Sequence, residues 1–192
     1  MAIDNINIAC IQFCAKRDAQ ANLAALKQYI KEAASQGAHY IQTPEMSNII
    51  TQDKQELAAQ TQSEDSNFFL ETLQQCAHEY SIWLHIGSMA VKVFEAGVEK
   101  WANRAYMINP KGEIIARYDK IHLFDVQLSQ NEGYCESNIY ISGEKAQLVD
   151  IGIATIGMAI CYDVRFPLLF RAYAEQGAQI LTLPAAFTQT TA

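Results

Sequence analysis

Ile156-Gly157-Met158-Ala159-Ile160-Cys161-Tyr162-Asp163-Val164-Arg165-Phe166-Pro167 is the stretch that decides how this chain is read. The apolar run from Ile151 to Ile160 has the composition of a buried strand. It stops at Cys161, and a helical pattern starts near Phe166-Pro167 and continues from Leu168 to Glu175. Gly177-Ala178 follows that helix, and Ile180 to Leu183 reads as a further strand stopped by Pro184. Strand, helix and strand in so short a span form a β-α-β unit with parallel strands.

The same punctuation occurs earlier in the chain. Gly37-Ala38-His39-Tyr40-Ile41-Gln42-Thr43-Pro44 and Gly177-Ala178-Gln179-Ile180-Leu181-Thr182-Leu183-Pro184 share Gly-Ala at the start and Pro at the eighth place. A strand over Ile6 to Phe13 precedes the first copy. Helical spacing at Leu23, Leu26, Ile30, Ala33 and Ala34 follows it, with Gly37 as the cap. Two such units suggest two similar halves packed as layers, although helix-Gly-strand-Pro is also common grammar in α/β chains. Between them, Phe68 to Tyr80 is a helix with Phe69, Leu73, Cys76 and Ala77 on one face. Ile82 to Ser88 and Ala105 to Ile108 are β-rich, and Ile114 to Tyr118 pairs back across the turn Asn109-Pro110-Lys111-Gly112. Residues 120–145 are polar and read as a long loop with a short strand at Ile139 to Ile141. The fold class is α/β.

Composition narrows the function. The 192 residues are 50% hydrophobic and 18% charged, which suits one domain with a sizeable core. The net charge of −7 speaks against a nucleic-acid partner or an anionic membrane surface. Five cysteines at irregular spacing, without C-x-x-C, suggest neither a disulfide framework nor a zinc site. The sequence shows neither the pattern of a signal peptide nor a long apolar run, so a cytoplasmic location without membrane contact is expected.

Reacting groups in open α/β sheets gather beyond the carboxyl ends of strands. Glu45, Lys120, Cys161 and the run Pro184-Ala185-Ala186-Phe187 all fall at such ends. Cys161 carries the most information, because a sharp strand-to-helix turn exposes a nucleophile and aims the following backbone N–H groups at one point. Taken singly, a strand-end cysteine is more often a buried small hydrophobe, and Glu45 and Lys120 are by default solvated charges. Among the histidines only His122 falls near these residues, and no cluster has metal-ligand spacing.

Taken together, these segments resemble the nitrilase (carbon–nitrogen hydrolase) superfamily, and within it the Nit branch of small amidases. The resemblance rests on Pro44-Glu45, Asn103-Arg104-Ala105, Arg117-Tyr118-Asp119-Lys120-Ile121-His122-Leu123-Phe124-Asp125 and Glu136-Ser137. It also rests on Gly157 to Pro167 and on Leu183 to Phe187. It implies an α-β-β-α sandwich and a catalytic triad of Glu45, Lys120 and Cys161, with Glu136 supporting the lysine. It further implies a cysteine-dependent hydrolase of a small-molecule amide that releases ammonia and needs no cofactor. An ω-amide of a small carboxylic or α-keto acid is the substrate class of that branch.

Arg165 is then a candidate carboxylate clamp, or else a structural partner of Asp163 or Asp119. Tyr162 and Phe187 are candidate pocket residues, or else ordinary packing. The family continues past the final strand seen here with a helix and further strands. The expectation over 1–192 is therefore one carbon–nitrogen hydrolase domain lacking its C-terminal part, dimeric only when those elements are present. A truncated, inactive homologue with at most a binding role is the alternative that the motifs leave open.

Overall fold

Tyr40 and Ile41 are adjacent in the chain and serve two different cores, which is the simplest statement of the architecture. Side chains alternate across a strand, so a sheet with both faces buried must be apolar at consecutive positions. The computed structural model describes residues 5–127 and 133–187. In chain order the elements are β1 (Ile8–Cys10), α1 (Ala19–Ser35), β2 (Tyr40–Gln42), α2 (Lys54–Gln60), α3 (Phe68–Tyr80), β3 (Trp83–Glu95), β4 (Val98–Ile108) and β5 (Ile114–Asp119). There follow β6 (Asp125–Gln127), β7 (Gly133–Cys135), β8 (Tyr140–Ile141), β9 (Gln147–Asp150), β10 (Thr155–Met158), α4 (Pro167–Glu175) and β11 (Ile180–Thr182).

The first sheet runs β1-β2-β3-β4-β5, with β8 beside β4; the second runs β11-β10-β9. On the outer face of the first sheet, Ile41, Leu84, Ile86, Tyr106 and Ile108 meet Leu23, Leu26 and Ile30 of α1 and Phe69, Leu70 and Leu73 of α3. On its inner face, Tyr40, Ala105, Met107, Ala116 and Tyr118 meet Val149, Ile156, Met158 and Ile160 from the second sheet and its margins. Leu169 and Tyr173 of α4 cover the far side. The layers are helix, sheet, sheet, helix, and each fully buried aliphatic side chain contributes about 1.5–3 kcal/mol.

The internal echo is structural as well as textual. Gly37 and Gly177 take φ of 83° and 88°, the left-handed region that suits glycine after a helix. The N–H of His39 bonds Asn7 O and that of Gln179 bonds Thr155 O, both at 2.8 Å. Each unit then sends a strand parallel to the one it left, Ile8 beside Tyr40 and Ile156 beside Ile180.

Four local expectations need correction. The run Ile151 to Ile160 is not one strand: Ile151 N–H bonds Ala154 O at 3.0 Å around Gly152, and this turn makes β9–β10 a hairpin. β3 does not end at Ser88 but continues to Glu95 and pairs with β4. Helix α2 was not foreseen, because Leu57 is its only buried residue and gives no period to read. The segment read as a loop contains the hairpin β6–β7, and its residues 128–132 lie outside the described residues.

Gly87 sits where the two echoed prolines meet. A Cβ there would lie 2.7 Å from Pro44 O and 2.6 Å from Pro184 Cβ, and closer still to the Thr43 carbonyl. The register of β3 against β4 shifts between Ile86 and Met89, so the bulge and the missing side chain together bring both strand ends against β3.

Candidate active site

Glu45 follows β2 on a turn that β3 holds in place. Met46, the next residue, has φ of 53°. Met46 N–H donates to Ser88 Oγ at 2.9 Å, and Ser47 N–H donates to Ser88 O at 2.8 Å. Asn48 and Ala90 exchange two bonds of 2.9 Å, and Thr43 Oγ1 and Ser47 Oγ lie 2.7 Å apart. The result is a carboxylate 5% exposed whose backbone cannot drift.

Lys120 lies directly after β5. Its N–H bonds Asn103 O at 2.9 Å, its carbonyl accepts Gly143 N–H at 2.8 Å, and the residue is 2% exposed. Arg104 steadies the approach by a two-pronged pair with Asp119, at 2.6 and 2.9 Å. The Lys120 ammonium reaches Glu45 Oε1 at 3.0 Å and Glu136 Oε2 at 2.9 Å. Glu136 arrives from the turn after β7 and accepts Phe124 N–H at 2.7 Å. Asn103 donates to both carboxylates, at 3.0 Å to Glu45 Oε1 and 3.1 Å to Glu136 Oε1.

Cys161 occupies the turn between β10 and α4 with φ of 46°, a value few residues other than glycine adopt. Its N–H bonds Pro184 O at 2.9 Å, which ties the turn to the end of β11. Asp163, fully buried, holds the turn from within. It accepts Ile160 N–H at 2.8 Å and Tyr118 O–H at 2.7 Å, and His122 Nδ1 lies 2.6 Å away. His122 is therefore engaged with Asp163.

The electrostatics separate the thiol from the ammonium. Burial pushes the Cys161 thiol up, to about 12, aided by the charge of Glu45 and a hydrogen bond to it, while Lys120 and the Ala186 N–H act the other way. At neutral pH the resting cysteine is a thiol. Burial works against the charge of Lys120, but its neighbours, Glu45 and Glu136 foremost, outweigh it and raise its pKa, so it remains an ammonium.

Glu45, Lys120, Glu136 and Cys161 thus converge, although they are far apart in sequence. The candidate pocket residues are less uniform. Tyr162 is partly buried, its ring edge-on to Phe124 at 5.0 Å and to Phe166 at 5.6 Å. Phe187 is 48% exposed. Arg165 is exposed and makes neither ion pair open to it, since Asp119 is taken by Arg104 and Asp163 by Tyr118 and His122. Sequence reasoning missed the roles of Asn103 and Asp163, whose partners lie at least 33 residues away apart from the local Asp163–Ile160 contact. Among the described residues no cluster of three or more His, Cys, Asp or Glu side chains has the geometry to hold a metal ion, and no helix is long and apolar enough to cross a membrane.

Comparison with known proteins gives a consistent result. Residues 7–191 match the carbon–nitrogen hydrolase family model. A deaminated glutathione amidase from Yersinia enterocolitica is 35% identical over 97% of this chain, which spans 65% of that protein's length. The crystal structure of the Caenorhabditis elegans NitFhit protein superimposes with a TM-score of 0.85 and 32% identity, covering 95% of this chain and 44% of that one. A mutant of the amidase from Nesterenkonia sp. AN1, showing Michael addition of acrylamide at its active-site cysteine, superimposes with a TM-score of 0.76 and 27% identity. That match covers 97% of this chain and 70% of the other.

Proposed function

The chain belongs to the carbon–nitrogen hydrolase family, and from that premise we propose that it is a cysteine-dependent amidase releasing ammonia from a small primary amide. The observation that carries the reading is the buried Lys120 ammonium between Glu45 and Glu136, at 3.0 and 2.9 Å, with the Cys161 thiol within the field of the same Glu45.

A thiol held up to about 12 does not attack as a free thiolate at pH 7. Attack is concerted with proton transfer: the S–H bond breaks, Glu45 takes the proton, and sulfur bonds to the amide carbon. The carbonyl electron pair moves onto oxygen. The Lys120 ammonium and the Tyr162 N–H, which opens a helical turn and lacks an acceptor within it, are the donors for that oxyanion. As the C–N bond breaks, Glu45 returns the proton to the departing nitrogen and ammonia leaves. A thioester remains on Cys161. Water then attacks it, again giving a proton to Glu45, and the acid product leaves as the thiol is restored.

For substrate, we infer an ω-amide of a small carboxylic or α-keto acid, with Arg165 as the clamp for its carboxylate and Tyr162 and Phe187 beside the acyl chain. Arg165 is exposed and unpaired among the described residues, which leaves its fork free for that group. The amidase name of the Yersinia relative agrees with the reaction class. The test is ammonia release from a panel of short primary amides with and without a terminal carboxylate. Release by the chain, at least about 10³-fold slower in Cys161→Ala, is expected. Release that survives Cys161→Ala contradicts the reading.

A further inference from the structure

Glu45 and Glu136 each offer acceptor positions on two oxygens, and Asn103 determines how they are used. Asn103 lies on β4 opposite Ala90 and is fully buried. Its Nδ2 is 3.0 Å from Glu45 Oε1 and 3.1 Å from Glu136 Oε1, so the amide nitrogen must face the two carboxylates; the reverse orientation would set oxygen against oxygen. Lys120 Nζ takes the remaining position on Glu45 Oε1 at 3.0 Å. Oε1 of Glu45 is therefore saturated by two donors from the sheet side.

Oε2 is different. Its partner is Ala186 N–H at 2.9 Å, and that same N–H acts on the Cys161 thiol. Cys161 N–H bonds Pro184 O, two residues before Ala186, so the segment that holds Oε2 also holds the Cys161 turn, and Oε2 keeps an acceptor position for the S–H. We propose that Asn103 is a positioning residue that, with Lys120, blocks Oε1 of Glu45 and so assigns the thiol proton to Oε2. The inference rests on the reading of Glu45 as the base. In the attack step the S–H proton passes to Glu45 Oε2 while the sulfur electron pair forms the C–S bond. Oε1 keeps both its donors throughout, so the carboxylate does not rotate between taking the proton and returning it.

Removing Asn103 has two expected consequences. The freed Oε1 lets the carboxylate turn, which lowers kcat about 10- to 100-fold with KM changed less than about threefold. Loss of a donor to the ionised carboxylate also favours its protonation, so the acid limb of the reaction moves to higher pH.

The experiment is the pH dependence of Cys161 alkylation by iodoacetamide, resolved by peptide mass spectrometry because Cys10, Cys14 and Cys135 are exposed and compete for the reagent. The native chain is compared with Asn103→Ala and with Asn103→Leu, which fills the side chain's volume without adding charge should the alanine variant fold poorly. The native profile is expected to show an acid limb, displaced upward in both variants because each loses a donor to the ionised carboxylate. A native profile with no such limb overturns the role of Glu45 as base, and this inference with it. A native limb that stays in place in both variants, whatever their stability, overturns the role of Asn103 alone.

Discussion

Glu45→Gln is expected to lower ammonia release by about 10²–10⁴-fold while making the Cys161 thiol easier to ionise. The two effects separate because Glu45 does two things. Its charge and its hydrogen bond are among the causes that hold the thiol up at about 12, after burial itself. With a neutral amide in its place, burial remains but the opposing charge is gone, so the Lys120 ammonium acts more strongly on the sulfur and the thiol titrates lower. Turnover still falls, since no group remains to carry the proton to the leaving nitrogen. The amide also fits the site poorly: an N–H facing Ala186 N–H meets a donor where the carboxylate offered an acceptor at 2.9 Å. Thiolate absorbance followed against pH, alongside ammonia release, reads both quantities. A variant with a higher thiol titration, or with near-native turnover, contradicts this account of the pair.

Lys120→Met is expected to cost stability as well as activity. The ammonium is the cation between Glu45 and Glu136, and all three side chains are at most 12% exposed. Removing one partner of a buried ion pair leaves uncompensated charge and costs about 3–5 kcal/mol. For a chain of this size that corresponds to a fall in Tm of roughly 6–20 °C. The sign with pH follows from the carboxylates left behind. In the variant their repulsion favours proton uptake by the folded chain, so the loss of Tm is largest at pH 8 and shrinks toward pH 5. Thermal melts across that range check it; a Tm within about 2 °C of the native value at pH 8 contradicts the buried-ion account.

What was legible in the sequence follows from locality. Cys161 stands out because a strand, a turn and a helix are written in consecutive residues; its left-handed backbone, with φ of 46°, is seen only in the structure. Glu45 and Lys120 stand out less, as strand-end charges, and acquire meaning only from the resemblance that joins them. The roles of Asn103 and Asp163 were invisible, since an amide inside a strand reads as filler until the sheet brings it across to Glu45, 58 residues away. The same holds for Ser88, whose hydroxyl receives Met46 N–H across the β3 bulge. Pattern reading also failed where periodicity was weak: α2 has one buried anchor, and Ile151 to Ile160 looked continuous because Gly152 turns the chain without interrupting the apolar run. Arg165 was legible as a charge near the nucleophile. Its exposure fits a clamp for a mobile ligand better than a structural pair.

The account turns on a covalent bond between Cys161 and the acyl group of an amide. Its most direct test is intact-mass and peptide mass spectrometry of the native chain, acid-quenched during incubation with a primary amide. The predicted result is a mass gain equal to the acyl group, mapped to Cys161, sensitive to hydroxylamine and absent in Cys161→Ala. Ammonia release with no adduct at Cys161 under any quench time, or an adduct that persists in Cys161→Ala, would contradict it.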